Sequence, residues 1–184
     1  ISNYNFIKNK SNNNFSNRIP MDEYVHIHLD EKWFSDLYIK SYTNIDPQYE
    51  DFIDFINSVS KNSDIIITTG YMDTPIINQL KEKFFEKINE KIFHKKNFNK
   101  SIYLIYKPSF EDIESLLRKA KTLISCHGSV THVANSLAVK KIDILEENKI
   151  EFYKRFTSYL KNYYPIYRSN FIHLKILLLK NIKE

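Results

Sequence analysis

Glycine is nearly absent from this chain: among 184 residues only Gly70 and Gly128 occur. Two glycines so far apart cannot supply G-x-G-x-x-G, G-x-x-x-x-G-K-[ST] or G-x-S-x-G. A classical dinucleotide fingerprint, a P-loop and a hydrolase elbow are therefore disfavoured. Cysteine is scarcer still. With Cys126 alone, an intramolecular disulfide and a cysteine-based zinc cluster are both excluded, and a reducing, cytosolic setting fits best. No stretch approaches the roughly 20 continuous apolar residues that a membrane span requires. The richest run, Ile176 to Leu179, is bracketed by Lys175 and Lys180. There is also no apolar signal core and no initiator methionine, as expected of a fragment of something longer.

Acidic residues are outnumbered, giving a formal charge of +5 and a pI near 9.0. The positive residues are dispersed, mostly as lysine interleaved with glutamate. Their densest cluster is Lys91, His94, Lys95, Lys96 and Lys100, which reads as a surface connection. A solvated basic surface is the expectation there, with no nucleic acid as partner.

What the chain does have is core material: 42% of residues are apolar and 15% aromatic, enough for one domain. Residues 1–20, rich in Asn, Ser and Lys without a sustained period, read as a flexible tail or interdomain linker. Residues 21–184 read as the domain. Within it, strand-like runs at 24–29, 64–69, 102–106, 122–126 and 141–145 alternate with helical patterns at 47–60, 74–89, 109–119, 130–138, 149–161 and 166–183. Nearly continuous Ile/Leu/Val strands alternating with helices predict a parallel sheet covered on both faces. Right-handed crossovers then favour a doubly wound, Rossmann-like α/β sheet of about five strands in order 3-2-1-4-5, with C-terminal helices. Strands one and four lie side by side in that order, and a ligand crevice opens at their carboxyl ends.

Both glycines fall directly after a strand and before a helix. Around Gly128 the sequence is Cys126-His127-Gly128-Ser129-Val130-Thr131-His132. The helix that starts there presents unpaired N–H groups and a positive dipole end, a seat for phosphate. Ser129, Thr131, His127 and His132 are candidates to line it. Lys32, just past strand one, faces the same crevice as a mobile point charge for a diphosphate, and its neighbour Trp33 reads as a packing anchor. Asp73, past strand two, and Glu146, past strand five beside Glu147, are candidates for ribose hydroxyls. A metal-dependent hydrolase is an alternative: His26 and His28 share one strand face, with Asp30 and His127 nearby as further ligands. A non-catalytic interaction domain is a second alternative.

The His127-Gly128-Ser129-Val130-Thr131-His132 turn, followed by Val133-Ala134-Asn135-Ser136-Leu137, resembles the Asp-Thr-Gly-x-x-His turn of the heptosyltransferase group. These are inverting glycosyltransferases with two facing α/β domains, the GT-B arrangement. His132 falls on the family histidine, while His127, Gly128 and Ser129 stand in place of Asp, Thr and Gly. Lys32-Trp33 is similar to the family's Lys-Trp or Lys-x-Trp, and Asp73 lies near a family acidic residue that contacts the nucleoside. The resemblance covers about residues 24–183, as the C-terminal, nucleotide-sugar-binding domain. It implies transfer of a sugar from a nucleotide-diphosphate donor to a glycan or lipid-linked acceptor of lipopolysaccharide type, with inversion and without a cofactor or metal. Lys32 and the Gly128 helix terminus would stabilise the leaving diphosphate. The general base is implied to sit on an N-terminal partner domain, so this chain alone is expected to bind donor weakly and to be inactive. The implied location is cytoplasmic, at most peripheral at the inner face of the membrane.

Overall fold

In the computed structural model, residues 19–34, 45–145, 150–167 and 171–183 are described. The five expected strands form as β1 (Tyr24–Leu29), β2 (Asp64–Thr69), β5 (Lys100–Ile105), β6 (Ala120–Cys126) and β7 (Lys140–Leu145). They run parallel and adjacent in the order β5-β2-β1-β6-β7, the expected 3-2-1-4-5.

The sheet is wider than five strands. β3 (Glu86–Lys87) and β4 (Ile92–Asn97) extend the β5 edge in antiparallel fashion, and β8 (Tyr163–Tyr167) extends the β7 edge, giving eight. The extra strands replace expected helix and loop. The helix expected over 74–89 stops early: α2 (Pro75–Gln79) passes into a π-helical turn at Leu80–Phe84, and Phe85 is already extended. The lysine cluster of 91–100 is then a β-hairpin rather than a surface connection. Phe93 is buried, His94 packs against Tyr103 at 4.6 Å, Lys95 lies 5.9 Å from the Phe84 ring centroid, and Lys100 pairs with Asp64 at 3.7 Å. Several of these charges therefore support the edge of the sheet. In β8, Pro165 lacks an N–H, which suits an outermost strand.

The alternating side chains of the strands divide the sheet into two unlike faces. One face, with Val25, Ile27, Ile65, Ile67, Leu104, Ile124 and Ile142, is mainly apolar and packs with α1 (Tyr49–Ser60) and α6 (Phe171–Lys183). Phe52, Phe55 and Phe171 form the aromatic contact between those helices. The other face lies under α3 (Phe110–Leu117) and α4 (Ser129–Ser136), and carries His26, His28, Thr68, Ser125, Lys141 and Asp143 among its apolar residues. α3 begins with a reciprocal Ser109–Asp112 capping box. Ile19, at the end of the expected tail, is buried with Met21 and Tyr24 and belongs to the core. α5 (Ile150–Thr157) and α6 are shorter than the helices expected over 149–161 and 166–183.

Candidate functional site

Because β1 and β6 are neighbours, the turns that leave their carboxyl ends face each other. After β1, Asp30 caps a 3-10 turn at Glu31–Trp33, its carboxylate accepting the Lys32 N–H at 3.2 Å. The turn is fixed from below by Trp33, which is fully buried and donates its indole N–H to the His28 carbonyl at 2.9 Å. Trp33 is a packing anchor. With the turn held, the Lys32 ammonium lies 3.1 Å from Asp30 and reaches across to Gly128. A Cβ added at Gly128 would come within 2.3 Å of that nitrogen. The φ of Gly128 is 178°, ordinary extended backbone. Gly128 thus leaves room for the ammonium, which a side chain there would push aside.

Around this contact is a cleft of about 150 Å³ whose lining includes Glu31, Lys32, Gly70, Tyr71, Phe110 and Ser129. Ser129 is exposed at the first position of α4, and the first N–H groups of this helix begin without intrahelical partners. A larger groove of about 310 Å³ opens between the starts of α1 and α2. Among the described residues its lining holds one carboxylate, Asp46, and no lysine, arginine or histidine, whereas the smaller cleft brings Lys32, Asp30 and Glu31 together.

The remaining expected residues are placed unequally. Thr131 is fully buried, which corrects its expected place on the ligand side. Its hydroxyl donates to Asp143 at 2.9 Å and accepts the Gly128 N–H at 3.4 Å. His127 Nδ1–H donates to the other oxygen of Asp143 at 2.5 Å, and the Tyr163 hydroxyl donates there at 3.0 Å. Burial, reinforced by Asp143, raises the Tyr163 pKa and keeps the phenol a donor. His132 bonds the Tyr159 hydroxyl at 2.7 Å and meets His127 edge-on, with ring centroids 5.2 Å apart. Burial and the neighbouring His127 lower its pKa. Both histidines therefore sit on the α5 side of the turn. Asp73 stands apart, two strands from β6, accepting from the Tyr106 hydroxyl and from Lys107 at 3.1 Å. These two hydrogen bonds, Tyr106 foremost, lower its pKa. Glu146 lies outside the described residues.

His26 and His28 do share a face, but both turn to Thr68, at 2.8 and 2.9 Å. Burial lowers both pKa values, His26 to about 3. Among the described residues no three His, Cys, Asp or Glu side chains converge to hold a metal. The pair is a buried polar contact between strands, which removes the geometry that the hydrolase alternative requires. Sequence reasoning missed Asp143, the buried hub of the Gly128 turn. Its signal is a lone acid inside the apolar run Ile142-Asp143-Ile144.

Fold and cleft together define the class as a doubly wound α/β domain with a polar crevice, lined by Lys32 beside Asp30 and Glu31, at the strand switch point. No family model matches the chain, and no curated protein matches it by sequence. Solved structures do match. UDP-GlcNAc 2-epimerase from Methanocaldococcus jannaschii, in complex with UDP-GlcNAc and UDP, is 18% identical with a TM-score of 0.57, over 96% of this chain and 41% of that one. The E. coli heptosyltransferase WaaC, with ADP-2-deoxy-2-fluoro heptose, is 15% identical with a TM-score of 0.50, over 88% and 42%. The chain spans less than half the length of either. At these identities the likeness is one of fold, and it reaches a heptosyltransferase without being confined to that group. No helix among the described residues is long and apolar enough to cross a membrane.

Proposed function

We propose that this chain is the nucleotide-sugar-binding half of a glycosyltransferase, with the donor diphosphate held between Lys32 and the start of α4. The observation that carries the reading is the Lys32 ammonium lodged against Gly128, where any side chain would displace it. An ammonium beside the first N–H groups of a helix is a diphosphate seat, because fixed charge and oriented dipoles converge on one point. In sugar transfer the acceptor oxygen attacks the anomeric carbon, the bond to the diphosphate breaks, and negative charge grows on the leaving group. Lys32 and the α4 terminus are placed to stabilise that charge. The motif resemblance favours transfer with inversion, and two solved structures that share the fold hold nucleotide sugars. The general base and the glycan or lipid-linked acceptor are assigned to a partner domain, so the chain by itself binds donor without turning it over.

Calorimetric titration with UDP, ADP and GDP tests this. One of them is expected to bind, and Lys32→Ala should weaken it about 10- to 100-fold, the loss of a charge-assisted contact. If none binds below about 1 mM (some 4 kcal/mol) and Lys32→Ala changes nothing, the reading is wrong and a non-catalytic interaction domain takes its place.

A further inference from the structure

The cleft contains a second charged group that the diphosphate does not explain. Glu31 lines it beside Lys32, and its Oε2 is buried with no hydrogen-bond partner among the described residues. Its neighbour Asp30 is fully engaged: it accepts the Lys32 N–H, pairs with the Lys32 ammonium and lies 3.7 Å from His28 Nε2. Two nearby groups are committed elsewhere. The Thr69 hydroxyl donates to the Gly70 carbonyl at 3.1 Å and accepts the Lys107 N–H at 2.8 Å, and His28 Nδ1 is bonded to Thr68.

The chain also makes room for this oxygen. A Cβ at Gly70 would lie 2.1 Å from Glu31 Oε2, yet Gly70 has no positive φ that would demand glycine. Of the two glycines in the sequence, one clears space for the lysine of the cleft and the other for its glutamate. An acceptor sealed from water without a donor is costly, and a bound molecule that brings a donor recovers that cost. A diphosphate brings none. The hydroxyls of a sugar do.

We propose that Glu31 is a specificity-determining residue that accepts a hydrogen bond from a hydroxyl of the bound nucleotide sugar, on either its ribose or its transferred sugar. The inference rests on the diphosphate reading above. Calorimetry with UDP and UDP-GlcNAc on the full chain, wild type against Glu31→Ala, tests it. Glu31→Ala should lose about tenfold in affinity. A loss shared by UDP and UDP-GlcNAc assigns the contact to the ribose, and a loss confined to UDP-GlcNAc assigns it to the sugar. Glu31→Gln, which keeps the shape and one acceptor oxygen, should lose less, and an unchanged thermal midpoint in both variants shows that the fold is intact. If wild type and Glu31→Ala bind both ligands equally, or Glu31→Ala binds more tightly, the inference is overturned while the diphosphate seat stands. If wild type binds neither ligand, the same comparison is made with whichever of ADP and GDP it binds; if it binds none of them, the diphosphate reading itself fails and this inference goes with it.

Discussion

The two walls of the cleft are built alike and held differently. Each is a turn after a buried parallel strand, each carries one glycine, and each glycine makes way for a side chain of the β1 turn. On the β2 side, Gly70 is pressed by backbone as well as side chain: an added Cβ would meet Asp30 Cβ at 3.0 Å and its Cα at 3.2 Å. On the β6 side, Gly128 meets only the far end of Lys32, its next neighbour being the Cys126 carbonyl at 3.9 Å. Beneath the first wall a hydroxyl, Thr68, joins two histidines; beneath the second a carboxylate, Asp143, joins a histidine, a threonine and a tyrosine. The β2 wall is therefore rigid at its surface and uncharged beneath it. The β6 wall yields at its surface and rests on a buried charge.

Removing that charge should have the largest effect. Asp143→Ala strips three donors of their acceptor in the interior, and hydrogen bonds to a buried carboxylate are individually strong. A loss of about 3 kcal/mol in unfolding free energy is expected from urea denaturation. Thr68→Ala should cost clearly less, since neutral hydrogen bonds are worth about 1 kcal/mol each. Equal losses at the two positions would erase the contrast between the walls.

The glycines give the next test. Gly70→Ala forces a methyl group against the backbone of Asp30, which cannot swing aside, so about 1–3 kcal/mol of stability should be lost. Gly128→Ala meets a flexible ammonium that can, so its thermal midpoint should stay close to wild type while nucleotide affinity falls toward that of Lys32→Ala. A Gly128→Ala protein that binds as wild type would show that the Lys32 contact has no part in recognition.

Much of this was legible in the sequence, because apolar runs and glycine positions are local signals. Five strands, their order and the facing of Lys32 and Gly128 all follow from periodicity and crossover handedness. What could not be read was set by the sheet as a whole. The Lys91–Lys100 segment looks like solvated surface because lysines dominate it, while Phe93 is its one buried residue. β8 was hidden by Pro165, which reads as a helix break until an outermost strand is available to hold it. Thr131 was misplaced because position within a helical turn does not say which face a neighbouring strand covers; Asp143, sixteen residues beyond His127, decides it. Glu31 and Asp30 look equivalent as adjacent acids, and only the hydrogen bonds show that Asp30 is engaged while Glu31 Oε2 has no partner among the described residues.

The smallest effect concerns acid, and it belongs to the β2 wall. His26 is buried in the sheet, and its one hydrogen bond among the described residues is to the Thr68 hydroxyl. Burial first, and the nearby His28 second, hold its pKa at about 3, against 6.5 for an ordinary histidine. The folded state keeps this ring neutral where the unfolded chain takes up a proton. Its stabilising contribution is therefore complete above pH 6.5 and is lost as pH falls toward about 3, at roughly 1.4 kcal/mol per pH unit. Between pH 7.5 and 5.5, before most carboxylates titrate, stability in urea should fall by about 1 kcal/mol from this residue. His26→Asn removes the titration and offers its amide to Thr68, so its urea midpoint should depend less on pH over that interval even if it is lower throughout. An unchanged pH dependence in His26→Asn would mean that the histidines of the β2 wall accept protons in the folded protein, and that this wall too tolerates charge.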